Sequence, residues 1–164
     1  IDNGIRPRCH LEDITRADMD GFVLPYVEEL MKISEGVEEK LKVKIRLCDT
    51  MGFGISSPGA TLPRSVPKLV YKMINEAGVP SDRLLWHGHN DFHKVHINGT
   101  TAWLYGCDAL NASLLGIGER TGNPPLEGAV MEYIGLKGDM GGIDTRRLTR
   151  AIRQQGAPHV VSVC

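Results

Sequence analysis

The residues best suited to chemistry are His87-Gly88-His89, two imidazoles separated by the smallest amino acid and followed at once by Asn90-Asp91. Side chains two apart on a strand share a face, so both rings project the same way and can chelate one divalent cation through neutral imidazole nitrogens. Two imidazoles leave the coordination sphere open. The oxygen donors at the C-terminal ends of expected strands are Glu12, Asp13, Asp49, Glu119 and Asn123. A His-plus-oxygen set with open positions suits Zn, Mn, Fe or Mg acting as a Lewis acid on a bidentate oxygen substrate.

Arg8-Cys9-His10-Leu11-Glu12-Asp13 is the second such stretch. Alternation puts Arg8, His10 and Glu12 on one strand face: a guanidinium fork for a carboxylate, a hydrogen-bond donor, and a general acid or base. The bland alternative is a polar strand end making local salt bridges. Gly116-Ile117-Gly118-Glu119-Arg120-Thr121-Gly122-Asn123 lacks both the dinucleotide fingerprint and a Walker lysine. Its glycines allow close backbone approach to a ligand, and the helix that follows favours an anion. Asp49-Thr50 offers a hydroxyl for a carboxylate, or forms an Asx-type turn. Trp86 and Trp103 read as core, and His93, His96 and His159 as surface residues.

These groups need a scaffold, and the chain supplies a β then α rhythm. Strands are expected over 5–11, 43–48, 83–89 and 109–115. Helices are expected over about 18–34, from Ser65 to Pro67 up to Gly78, over 95–105, from Pro124 or Pro125 to Lys137, and from Asp144 to Gly156. The first helix carries the apolar stripe Met19, Phe22, Val23, Tyr26, Val27, Leu30 and Ile33, with Pro25 marking a kink or a later start. The last carries Arg146, Arg147, Arg150 and Arg153, read as a solvated face. Strand starts recur at roughly 25 to 40 residues, the rhythm of an α/β barrel or a doubly wound sheet, and four such units amount to half of an eight-stranded barrel.

Composition narrows the classes. The 164 residues hold 19 Lys and Arg against 20 Asp and Glu, a net charge of -1, so no basic excess exists to neutralise a phosphate backbone and nucleic acid is not an expected partner. The apolar runs are too short for a membrane span, and no signal peptide is visible. Cys9, Cys48, Cys107 and Cys164 lie far apart without a C-x-x-C pair, the pattern of reduced thiols in the cytoplasm.

The motif order, Arg8 to Asp13, then Asp49-Thr50-Met51-Gly52, His87 to Asp91 and Gly116 to Asn123, resembles the 2-isopropylmalate synthase and homocitrate synthase family of metal-dependent acyl-CoA condensing enzymes. The resemblance covers about residues 6–156. The stretches 46–52, 62–69, 86–94 and 101–107 look most like its Re-face citrate synthase branch, which condenses acetyl-CoA with oxaloacetate. The resemblance implies an α/β chain forming part of a TIM barrel, strands five to eight. Residues 1–141 would be the C-terminal half of the catalytic barrel, and 142–164 a helix with the start of a post-barrel linker.

By the same resemblance His87, His89 and Asn123 would hold a divalent metal ion, Mn, Mg, Zn or Co. Thr50 would bind the carboxylate of the 2-oxo acid, Glu12 would serve in proton transfer and Glu119 would line the pocket. Arg8 and His10 would contact the distal carboxylate, which argues for oxaloacetate or 2-oxoglutarate over the apolar substrate of isopropylmalate synthases. Homocitrate synthase is the next reading, with isopropylmalate or citramalate synthase behind it. His93-Lys94 replace the Leu-Gly common in isopropylmalate synthases, and the family's first strand, with its arginine and acidic metal ligand, has no counterpart here. The implied parent is a homodimer, and the fragment by itself is expected to be inactive, a half-barrel that at most binds metal.

Overall fold

A computed structural model describes residues 1–154; Gly156, His159, Cys164 and the rest of the expected post-barrel segment lie outside the described residues. Four strands, β1 (Arg8–Leu11), β2 (Lys44–Asp49), β3 (Leu84–Gly88) and β4 (Ala109–Leu110), form one parallel sheet in the order β1-β2-β3-β4. The helices are α1 (Leu24–Ile33), α2 (Val66–Asn75), α3 (Val95–Tyr105), α4 (Leu126–Lys137) and α5 (Thr145–Gln154).

Sequential order decides between the two architectures the rhythm allowed. Parallel crossovers are right-handed, so strands always added on the same side keep their helices on one face, whereas a doubly wound sheet reverses direction and covers both. One apolar cluster accordingly joins Ile45, Leu47, Leu84 and Trp86 of the sheet to Val27 of α1, Leu69, Val70 and Met73 of α2 and Ala102 of α3. Each fully buried aliphatic side chain there contributes about 1.5–3 kcal/mol. The chain is an α/β partial TIM barrel, and the sheet face without helices is the one that a complete barrel turns inward.

Over β1 and β2 that inner face is polar, while β3 and β4 add Leu85 and Ala109 beside it. Register places Arg8 beside Lys44, His10 beside Arg46, and Cys48 beside His87, and these side chains alternate with the buried apolar ones of the opposite face.

Helix starts follow the cap chemistry. Ser65 accepts the Lys68 N–H with Pro67 in the first turn of α2, Pro125 precedes α4, and Asp144 accepts the Arg146 and Arg147 N–H groups. The four arginines of α5 are solvent-exposed, while Ile152 on the other side is buried. Trp86 is fully buried; Trp103 is half-buried against Tyr133.

Three expectations are corrected. The first strand starts at Arg8 and not Ile5, because Pro7 offers its carbonyl to Lys44 N–H but has no N–H to continue the ladder. The fourth ends at Leu110 and not Leu115. Ser113 pairs instead with Pro124 and Leu126, and Leu115 turns left-handed at φ 57°. The first helix is split, with a π-helical turn over Met19–Val23 preceding α1, and Pro25 sits in the first turn of α1. The wider turn shifts the helical phase, so Met19, Val23, Leu24 and Val27 are buried. Phe22, Tyr26 and Ile33 are exposed, and the first two stack on each other at 5.7 Å.

Candidate active site

His87 is the last residue but one of β3 and lies on the inner face, and His89 is the first residue beyond the strand. Their Nε2 atoms lie 3.2 Å apart with the rings nearly perpendicular. Nitrogens bound at about 2.0–2.1 Å to one cation at near-right angles are themselves about 3 Å apart, so the pair is preset for a shared ion. Burial, then the neighbouring His89, pushes the His87 pKa below its ordinary value, which keeps the ring neutral and able to ligate.

Asn123 completes this corner. Its Nδ2 donates to the Gly88 carbonyl at 2.9 Å, and its backbone N–H donates to Gly116 O. The amide nitrogen is thereby used, and Oδ1 has no hydrogen-bond partner among the described residues. The glycine-rich loop is tied down from the other side by Asn90 N–H to Gly122 O. Gly122, at φ 102°, lies so close to Gly116 O that no Cβ fits, which gives the glycine at this position a steric reason. Glu119 Oε2 stands 4.0 Å from His89 Nε2 and is largely exposed, so it borders the pair without occupying it.

Arg8, His10 and Glu12 do share the exposed face of β1, with Cys9 and Leu11 turned towards the core. Thr50 joins them: its hydroxyl donates to Glu12 Oε2 at 2.8 Å and accepts the Asp13 N–H at 2.8 Å. The Thr50 hydrogen bond is the largest cause holding the Glu12 carboxyl below its ordinary range, with smaller help from Cys48, His87 and His10. Glu12 is therefore ionised at lower pH than an ordinary glutamate, and is a weaker base while the Thr50 bond stands. Thr50→Val removes the main cause. The Glu12 midpoint in a carboxylate NMR titration of the metal-free protein is expected to move to higher pH, and an unchanged midpoint would contradict this assignment.

Two of the expected oxygen donors are elsewhere. Asp49 is buried on the helix side, accepting Thr15 Oγ1–H at 2.8 Å and Gly54 N–H at 2.9 Å. Parity explains it: Cys48 and Thr50 face inward, so the residue between them cannot. Asp13 adopts left-handed backbone at φ 57° and pairs with Arg16. His93 is exposed, and His96 is half-buried 3.6 Å from Glu132.

Arg120 is the residue whose role the sequence did not reveal. Its guanidinium pairs with Asp91 at 3.1 Å and with Glu119 at 2.9 Å, and donates to Thr50 O. One side chain thus fastens the glycine-rich loop to the segments after β2 and β3. Arg46 lies on the inner face beside His10. Its Nε is buried without a hydrogen-bond partner among the described residues, and burial and Arg8 lower its pKa.

A family model described as HMGL-like matches residues 8–154, nearly the whole described chain. The chain belongs to the HMGL-like family. Among similar proteins are the Citrate (Re)-synthase of Syntrophus aciditrophicus, 62% identical over 149 residues, and that of Clostridium kluyveri, 55% identical over 139 residues. They cover 91% and 85% of this chain, which spans 23% and 30% of their length. The 2-phosphinomethylmalate synthase of Streptomyces hygroscopicus is 40% identical over 83% of the chain and 30% of its own length. The solved hydroxymethylglutaryl-CoA lyase of Pseudomonas aeruginosa superposes with a TM-score of 0.62 at 21% identity, covering 94% of this chain and 51% of that one. That likeness shows the fold: this HMGL-like chain supplies four consecutive βα units of a barrel.

Proposed function

We propose that the complete polypeptide joins the methyl carbon of acetyl-CoA to the ketone carbon of a dicarboxylic 2-oxo acid, with oxaloacetate as the preferred acceptor and citrate as the product. The observation that carries this reading is the common face of Arg8, His10, Glu12 and the His87–His89 pair. It sets an ionised base beside a cation chelate at the C-terminal rim, with a carboxylate fork on the same face at the start of β1. The likeness to two proteins named Citrate (Re)-synthase supports oxaloacetate over 2-oxoglutarate. Since Arg8 would serve any distal carboxylate, 2-oxoglutarate is the second acceptor.

His87, His89 and Asn123 would hold a divalent cation, Mn, Mg, Zn or Co by the donor set, which when bound polarises the ketone of the acceptor. Arg8 and His10 bind the distal carboxylate of the 2-oxo acid, and Thr50 the carboxylate beside the ketone. In doing so Thr50 turns its hydroxyl hydrogen from Glu12 to the substrate. Losing that bond raises the basicity of Glu12 when the acceptor is in place. Glu12 then takes a methyl proton from acetyl-CoA, the carbon nucleophile adds to the ketone, and hydrolysis of the thioester frees the CoA thiol. Glu119 borders the pocket with Arg120 holding its carboxylate.

On this reading residues 1–141 belong to the C-terminal half of a catalytic barrel, 142–164 lead out of it, and the parent protein is a cytoplasmic homodimer. No described helix is long and apolar enough to cross a membrane. The test is free-thiol release by the full-length protein given acetyl-CoA with oxaloacetate, 2-oxoglutarate or 2-oxoisovalerate. Oxaloacetate is expected to give the highest kcat/KM, and a preference for 2-oxoisovalerate would overturn the reading.

A further inference from the structure

The inner face of the sheet carries more metal-ligating groups than the His87–His89 pair and Asn123 account for. His10 and Glu12 project from the β1 side and Cys48 from β2, and one ligand atom from each lies within 4.8 Å of the others. Cys48 is registered directly against His87, so this set lies next to the imidazole pair while sharing no side chain with it. We propose that His10, Glu12 and Cys48 form a second cation site, selective for thiophilic metals such as Zn2+, whose occupation inhibits the enzyme by capturing the Glu12 carboxylate.

The donor set is the first argument. An imidazole nitrogen, a carboxylate oxygen and a thiolate sulfur together suit Zn2+, whereas Mg2+ and Mn2+ seek oxygen ligands and leave a thiolate site alone. Availability is the second. Glu12 uses Oε2 for Thr50, so Oε1 remains for a cation. Cys48 is a free, buried cysteine whose Sγ makes a 3.8 Å contact to Arg46 O and lies against the Glu12 carboxylate; burial and that carboxylate push its thiol pKa up to about 12, so a cation must displace the proton.

Reach is the third argument. Donors around one tetrahedral Zn2+ lie about 3.3–3.8 Å apart, so the set must close by about 1 Å. Cys48 is fixed within β2, but His10 and Glu12 are exposed and move by side-chain rotation. Binding breaks the Cys48 S–H bond and forms a sulfur–zinc bond, with the proton leaving to buffer. This site stands on the donor geometry and does not depend on the acceptor being oxaloacetate.

Cobalt reports thiolate ligation directly, through a sulfur-to-metal charge-transfer band in the near ultraviolet. With excess Mg2+ present, Co2+ titrated into the full-length wild-type protein is expected to develop this band to one equivalent, and Zn2+ to abolish it by competition. Cys48→Ser is expected to remove the band, and His10→Gln to weaken Co2+ binding by about a hundredfold. The band should persist in the His87→Ala, His89→Ala double variant. Absence of the band in the wild type, or its survival in a folded Cys48→Ser protein, would overturn the proposal. Should Cys48→Ser fail to fold, unchanged Co2+ affinity in His10→Gln, on the exposed side of β1, would overturn it equally. Because the band is read without substrate, a protein lacking condensing activity would still decide the matter.

Discussion

Replacing His87 and His89 together with alanine is expected to abolish the response of the full-length protein to Mg2+ and Mn2+ and to reduce condensation by about a thousandfold or more. Lewis-acid stabilisation of a developing alkoxide contributes several kcal/mol, and about 4 kcal/mol corresponds to that factor. The two Nε2 atoms, 3.2 Å apart, are the only imidazole pair that the sheet holds at chelating distance among the described residues. Asn123 alone, anchored through Gly88, supplies a single neutral oxygen and cannot retain the ion. Thermal melts separate loss of metal from loss of fold. A cation at a hundred times its Kd stabilises the wild type by about 2.7 kcal/mol. The double variant should melt where the metal-free wild type does, with or without Mg2+ or Mn2+. A rise in Tm with Mg2+ or Mn2+ that survives the double substitution would move the binding site off β3.

How far such sites are legible in a sequence depends on whether their geometry is local. His87 and His89, or Arg8, His10 and Glu12, are related by the two-residue period of a strand, so one stretch of sequence is enough to put them on one face. Asp49 shows the limit: its place at a strand end suggested a ligand, but facing is a matter of parity, and parity is fixed by the pairing of Cys48 with His87. Arg120 reaches Thr50 and Asp91 across segments that only the folded barrel brings together. Phe22 and Tyr26 fit a 3.6-residue stripe and are nonetheless outside, because a π-helical turn resets the phase. The βα rhythm itself was readable, but the choice of a barrel over a doubly wound sheet rested on strand order, which spacing along the chain does not contain.

Arg8→Leu is expected to lower kcat/KM for oxaloacetate by several hundredfold while leaving 2-oxoisovalerate, which has no distal carboxylate, nearly unchanged. A bidentate pair forms two charge-assisted hydrogen bonds, each worth about 1.5–3 kcal/mol, and even 3–4 kcal/mol in all amounts to that factor. The surroundings of Arg8 argue that this wall awaits an anion. Lys44 and Arg46 flank it in the sheet, Lys44 reaches a carboxylate only at 3.8 Å, on Asp108, and Arg46 Nε has no hydrogen-bond partner among the described residues. Clustered like charges lower one another's stability unless a ligand neutralises them, and Arg8 is already among the causes that depress the Arg46 pKa. Arg8→Lys separates charge from shape: it keeps the cation but loses the planar fork, so a smaller loss of about tenfold is expected. Equal losses for both acceptors in Arg8→Leu would show that the arginine supports β1 and does not read the substrate. A loss confined to the dicarboxylic acceptor would identify Arg8 as the group that distinguishes an anionic from an apolar tail.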